Sequence, residues 1–353
     1  VVAVSLKKNV LGKQDTCQVA VSVSLACDQG SIPVAWPPSL PQDWAQDAER
    51  RKRTGVPESV RFATKTQIAL HQLRTLLSEG APRHCVLADA GYGVDTAFRQ
   101  ALSDMGLHYA VGVTSAVVVW PSGVEPLPPE TYSGKGRPPV MPRRTAQLQP
   151  ISVKALALSL PAQAFQTISW REGTNAPLTG RFAAVRVRHA GGNAGKASLR
   201  PQEWLLIEWP VEQAEPVKYI LSTLPESTPL NDLVSCAYQR WRIERDYQDL
   251  KQDFGLGHYE GRGWRGFHHH ASLSIATYAF LMSERLIADK PAGGKKNFIE
   301  RQVPAVPQDY IPRGRPARTA ARGQLDHKLA SSAELRTHRP SGTVPLLRPH
   351  QRE

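Results

Sequence analysis

Cysteine is scarce in this 353-residue chain, and the four present, Cys17, Cys27, Cys85 and Cys236, stand far apart. None of them pair at zinc-knuckle or redox-motif spacing, so neither a disulfide framework nor a metal finger is indicated and a reducing cytoplasm is expected. Long apolar runs are missing as well. No stretch reaches the roughly 18 residues needed to span a bilayer, and VVAVSLKKNV at the start lacks the order of a signal peptide, so a soluble protein is expected. Position 1 is not methionine, which reads as a chain beginning inside a longer one. Acidic residues are the other shortage: 31 against 44 basic ones leave a net charge of +13. That balance points to an anionic partner and says nothing about fold. The charge is uneven, because residues 290–353 hold thirteen basic and five acidic side chains, +8 of the total. Falling aliphatic content and rising proline and arginine there predict a basic, largely disordered tail.

What is present has the periods of an α/β protein. CQVAVSVSLAC (17–27) alternates like a half-buried strand, DQGS turns, and IPVAW reads as its hairpin partner. TKTQIALHQLRTLLSEG (64–80) places Ile68, Leu70, Leu73 and Leu77 near helical spacing and closes on Gly80. HCVLADAGYG then gives a short buried strand with Asp89 at its carboxyl end, followed by a helix over 94–105 and the strand-like HYAVGVTSAVVVW. Such alternation predicts an α/β sheet with covered faces, occupying residues 1–120. Residues 121–224 read as an inserted β-rich module: a proline- and arginine-rich arm first, then TISW, RFAAVRVRH, EWLLIEW and KYILSTL. From Pro229 helix returns, to about Gly255 and again over 268–288, so residues 225–289 close the core.

In the first of these closing helices, Arg240, Glu244 and Lys251 share a side because their offsets are four and seven, while Ile243, Tyr247, Leu250 and Phe254 form a neighbouring apolar stripe. Ion contacts of about 0.3–0.5 kcal/mol each on a surface helix account for such a pattern without any chemistry. Asp89 before Ala-Gly is likewise the ordinary cap of a turn. The alternative is chemical: reacting groups in open α/β sheets gather beyond the carboxyl ends of strands. Two carboxylates there could share divalent ions about 3.5–4 Å apart for phosphodiester chemistry, with the flanking cations on the phosphates.

RWRIERDYQDLK resembles the closing helix of bacterial insertion-sequence transposases of the DDE superfamily, in the branch with a Y-R-E-K signature. Arg240, Glu244 and Lys251 match that signature; its tyrosine falls at Ala237, with Tyr238 beside it. LADAGYG resembles the motif of the second aspartate, matching Asp89. The resemblance runs from residue 10 to about 290 through LGKQDTCQVAVSVSL, WAQDAERRKRTGVP, SWREGTNAPLTGRFAAVRVR, EWLLIEWP and GLGHYEGRGWRGFHHHASLSIA. It implies an RNase H-like mixed sheet core with the β-rich module inserted ahead of the glutamate helix. It further implies catalytic, metal-binding Asp89 and Glu244, a two-ion Mg2+ site, and double-stranded DNA held by Arg240, Lys251 and Tyr238, with a homodimer on paired ends. Family members carry a third acid on the opening strand. Asp15, Asp28, Asp43 and Asp47 lie in turns or on the approach to the first helix, so the expected site is incomplete and strand cleavage impaired.

His268, His269 and His270 are poor ligands for a hard ion and read as polar residues near a helix start. Trp170, Trp204 and Trp209 read as core aromatics, with stacking on an extruded base as the sharper alternative. Arg262 in HYEGR, like Arg143 and Arg144, divides between contact with the DNA backbone and plain solvation, and Lys65 receives no role. Two other functions stay open: a DNA-binding remnant without chemistry, and an RNase H-like nuclease acting on RNA or hybrid duplexes.

Overall fold

The computed structural model describes residues 2–7, 18–136, 138–139, 143, 145, 147–171, 178–191 and 200–288. The expected tail, Asp15 and Arg144 fall outside the described residues. Strands β1 (Val2–Lys7), β2 (Ala20–Cys27) and β3 (Gly30–Ala35) lead into helices α1 (Gln42–Gln46), α2 (Ala48–Thr54) and α3 (Lys65–Ser78). β4 (Val86–Ala88), α4 (Ala90–Gly93), α5 (Thr96–Asp104), β5 (Tyr109–Val113) and β6 (Val118–Pro121) follow. Then come β7 (Ile151–Ser152), α6 (Val153–Ser159), β8 (Gln166–Arg171), β9 (Leu178–His189), β10 (Glu203–Glu208) and β11 (Lys218–Ser222). Helices α7 (Leu230–Tyr238), α8 (Trp241–Gln252) and α9 (Trp264–Ala288) close the described chain.

Among the described residues, eleven strands join one mixed sheet in the order β3-β2-β1-β4-β5-β11-β10-β9-β6-β7, with β8 on β9. β1 runs parallel to β4 and antiparallel to β2, and β4 runs parallel to β5. The sequence reading put no strand before residue 17. Val2–Lys7 nevertheless lies between β2 and β4, where the backbone groups of both neighbours need a ladder partner. Its sequence, VAVSLK, contains no acid. The β-rich stretch continues the same sheet, because β11 pairs antiparallel with β5.

Helices cover both faces. On one, Ala69 and Leu73 of α3 and Phe98 and Leu102 of α5 pack with Val86, Ala88, Tyr109 and Val111. On the other, Ile243, Tyr247 and Leu250 of α8 and Ile275 and Tyr278 of α9 pack with Leu87 and Ala110. Each Val, Leu, Ile or Phe among them contributes roughly 1.5–3 kcal/mol on burial. α3 starts at a capping box, Thr64 with Gln67. The expected single helix from Pro229 to Gly255 is two, α7 and α8, parted at Gln239 and Arg240, and α9 begins four residues earlier than its apolar run suggests. No helix among the described residues is long and apolar enough to cross a membrane.

Candidate active site

Asp89 ends β4 and caps α4, its Oδ1 accepting a hydrogen bond from the Gly91 amide at 2.9 Å. Strand alternation sends Asp89 to the face of Leu87, the one covered by α8 and α9. α4 lies against β5: a Cβ on Gly93 would overlap the Gly112 carbonyl oxygen and stand 3.0 Å from Val111 Cβ. The cap and this close approach together hold the Asp89 turn.

Glu244 is exposed in the first turn of α8, ion-paired with Arg240 at 3.1 Å. Other contacts decide where that turn lies. Cys236 shares a hydrogen bond with Cys85, the residue before β4, and Gln239 and Arg242 donate to Asp28 in the turn between β2 and β3. α8 is therefore entered from the amino-terminal side of β4, whereas Asp89 closes its carboxyl end. No hydrogen bond or ion pair joins Asp89 to Glu244. Further along, buried Asp246 accepts the hydroxyls of Ser31 (2.5 Å) and Tyr278 (2.7 Å), tying α8 to β3 and α9. Burial raises the Asp246 carboxyl above its ordinary range, opposed by those two hydroxyls. Its place on the inward stripe, three residues after Ile243, was a signal the sequence carried.

The other candidates separate. Tyr238 is buried, donates its hydroxyl to Glu208, and packs against Trp170 and Phe182. Arg262 is exposed, in the turn before α9. Lys251 sits in the last turn of α8. His268 is half-buried, its pKa lowered by that burial, and His270 is bound to the Gly255 carbonyl, while His269 is exposed. The Trp204 and Trp209 indoles donate to the carbonyls of Pro225 and Gln213. Arg143 binds the Pro128 carbonyl and pairs with Glu130. Asp43 pairs with Arg50, and Asp47 caps α2.

Among the described residues no group of three or more His, Cys, Asp or Glu side chains is placed to hold a metal ion. One carboxylate on a turn amide and another on an arginine, unconnected and beside an acid-free β1, do not fit a shared divalent ion.

Residues 7–177 match the family described as DDE superfamily endonuclease. The match spans Asp89 and stops before Glu244. It supports a place in the DDE superfamily, and the mixed sheet with helices on both faces is the RNase H-like fold of that class. No curated protein matches the chain.

Sequence reading missed a buried polar chain behind the Asp89 turn. Glu203 of β10 accepts the Tyr109 hydroxyl at 2.7 Å; Arg99 of α5 faces both and donates to the Gly93 carbonyl. Burial pushes the Glu203 carboxyl up, against the pull of Tyr109 and of Arg99. The position of Arg99 between Phe98 and Leu102 on a buried helix face was its only trace in the sequence. Nearby His189 is lowered to about 4, by burial first and then by the charge of Arg99. An unfolded chain takes up that proton near the ordinary 6.5 while the folded one refuses it. Stability is therefore expected to fall as pH drops from 6.5 toward 4, by up to about 3 kcal/mol. His189→Gln should flatten that part of a stability-versus-pH curve measured in urea; an unchanged slope would assign the acid sensitivity elsewhere.

Proposed function

We propose that the chain is a transposase of a bacterial insertion sequence, of the DDE type with a Y-R-E-K signature, acting on double-stranded DNA as a pair of subunits on two ends. Asp89 and Glu244 are its carboxylates for phosphodiester chemistry, and Arg240, Lys251 and Arg262 are its phosphate contacts. The observation that carries this reading is the placement of Asp89, inside the family match and at the carboxyl end of a parallel strand. Since the carboxylates among the described residues do not form a metal site, slow strand cleavage is expected.

The test is nicking of supercoiled DNA in Mg2+, with binding to the same DNA measured alongside. Slow nicking is expected, lowered a further 100-fold or so by Asp89→Asn and by Glu244→Gln while DNA binding persists. Nicking that neither substitution alters would remove both carboxylates from the reaction. A second reading, a DNA-binding protein without chemistry, is favoured by the engagement of Asp89 with Gly91 and of Glu244 with Arg240. Binding with no nicking at all, and affinity indifferent to Glu244→Gln, would select it.

A further inference from the structure

α2 contains four consecutive cations, and the fold divides them. Arg50 pairs with Asp47 at 3.3 Å and lies over the Trp44 ring; Arg51 donates to the carbonyls of Ala45, Pro57 and Val60. These two hold the helix down. Lys52 and Arg53 are exposed, and their side chains make no hydrogen bond or ion pair among the described residues. A second pair behaves alike. The turn before α9 wraps the Tyr259 ring, whose hydroxyl donates to the Gly263 carbonyl at 3.0 Å and whose face stacks on His270. A Cβ on Gly261 or Gly266 would collide with that ring. So tight a turn leaves Arg262, and Arg265 in the first turn of α9, exposed, their side chains again without a partner among the described residues.

The two segments are neighbours. The Thr54 carbonyl, next to Arg53, lies 4.0 Å from the point where a Gly263 Cβ would stand. Gln18 pins the turn from β2's side by donating to the Gly261 carbonyl at 2.8 Å. Against Lys52, Arg53, Arg262 and Arg265 stand only exposed Glu49 and Glu260 within these segments. α2 offers no large apolar side chain, which a peptide partner would need as an anchor. Unpaired guanidinium and ammonium groups, beside a helix without apolar anchors, suit the regularly charged backbone of a nucleic-acid duplex.

We propose that α2 and the turn before α9 together form a phosphate-binding surface for duplex DNA, separate from the cations of α8. It rests on the DNA-directed reading above, takes Arg262 from it, and adds Lys52, Arg53 and Arg265 as a joint place of contact. Lys52 and Arg53 take one stretch of backbone, Arg262 and Arg265 the adjoining one, and neither pair reads bases.

The test measures binding of the full chain to a random-sequence duplex by fluorescence anisotropy, in a series of KCl concentrations without divalent metal. Lys52→Gln/Arg53→Gln and Arg262→Gln/Arg265→Gln should each make the slope of log affinity against log salt shallower by about 1.8. Arg74→Gln/Lys135→Gln, a control removing the same charge from exposed positions elsewhere, should leave it unchanged. Arg53→Lys/Arg262→Lys, which keeps the charges, should preserve the wild-type slope and so separate lost charge from lost fold. Equal shallowing in control and site variants, unchanged slopes in both site variants, or no duplex binding by the unaltered chain would each overturn the proposal. Cleavage is not read, so a chain that binds as described but never nicks DNA sinks the catalytic reading alone; nicking with unchanged site slopes sinks this surface alone.

Discussion

Gly93→Ala is expected to destabilise the protein by more than about 3 kcal/mol, a large effect for one methyl group. The glycine is needed for close approach, since its φ is not in the left-handed region. Its Cα faces the Gly112 carbonyl of β5, and Val111 Cβ closes the other side at 3.0 Å from an added Cβ. Backbone cannot rotate out of the way as a flexible side chain would. α4 must lift, taking with it the Asp89 cap and the carbonyl that Arg99 binds. Gly80→Ala is the comparison: Gly80 has φ 90° but open space around it, so the cost there is conformational and about 1 kcal/mol. Urea midpoints of the two variants check this; equal shifts would show that α4 yields freely. Because Asp89 rides on α4, Gly93→Ala should also abolish whatever nicking the unaltered chain performs.

The second large effect is expected at Arg99. Arg99→Met leaves Glu203 buried without the cation that acts on it most strongly and the Gly93 carbonyl without its donor, at a cost of about 3–5 kcal/mol. The sign of its pH dependence follows from the raised Glu203 carboxyl. At acid pH the carboxyl is neutral and misses the cation least; as pH rises through its folded pKa the stranded charge appears and the loss deepens. Adding Glu203→Gln to Arg99→Met removes that charge, so the double variant should regain part of the loss, with a coupling of at least about 1 kcal/mol. Strictly additive losses would mean that Arg99 acts on Gly93 alone.

Local periods and caps were readable because they depend on neighbours in the chain. The alternation in Ala20–Cys27, the helical spacing of α3, the buried run of β4 and the four β runs after residue 165 all became the elements their patterns predict. Breaks were harder. HYAVGVTSAVVVW reads as one strand yet splits into β5 and β6, which have different partners, and ISVKALALS hid α6 within the β-rich stretch. The apolar stripe of α8 was legible, and Asp246 on it was overlooked because a carboxylate there needs Ser31 and Tyr278, 215 and 32 residues away, to be tolerable.

Residue order alone determined the α/β class and the surplus of cations. Each is a property of side-chain type and short-range spacing. Tertiary structure decided that Val2–Lys7 sits beside β4, that Glu203 needs Arg99, that Tyr238 is turned inward onto Glu208, and that α8 starts from the end of β4 remote from Asp89. Those outcomes depend on which distant backbone ladders close and which buried charges find partners. No sequence spacing encodes them, because the groups that settle them lie tens to hundreds of residues apart and meet only when the sheet is assembled.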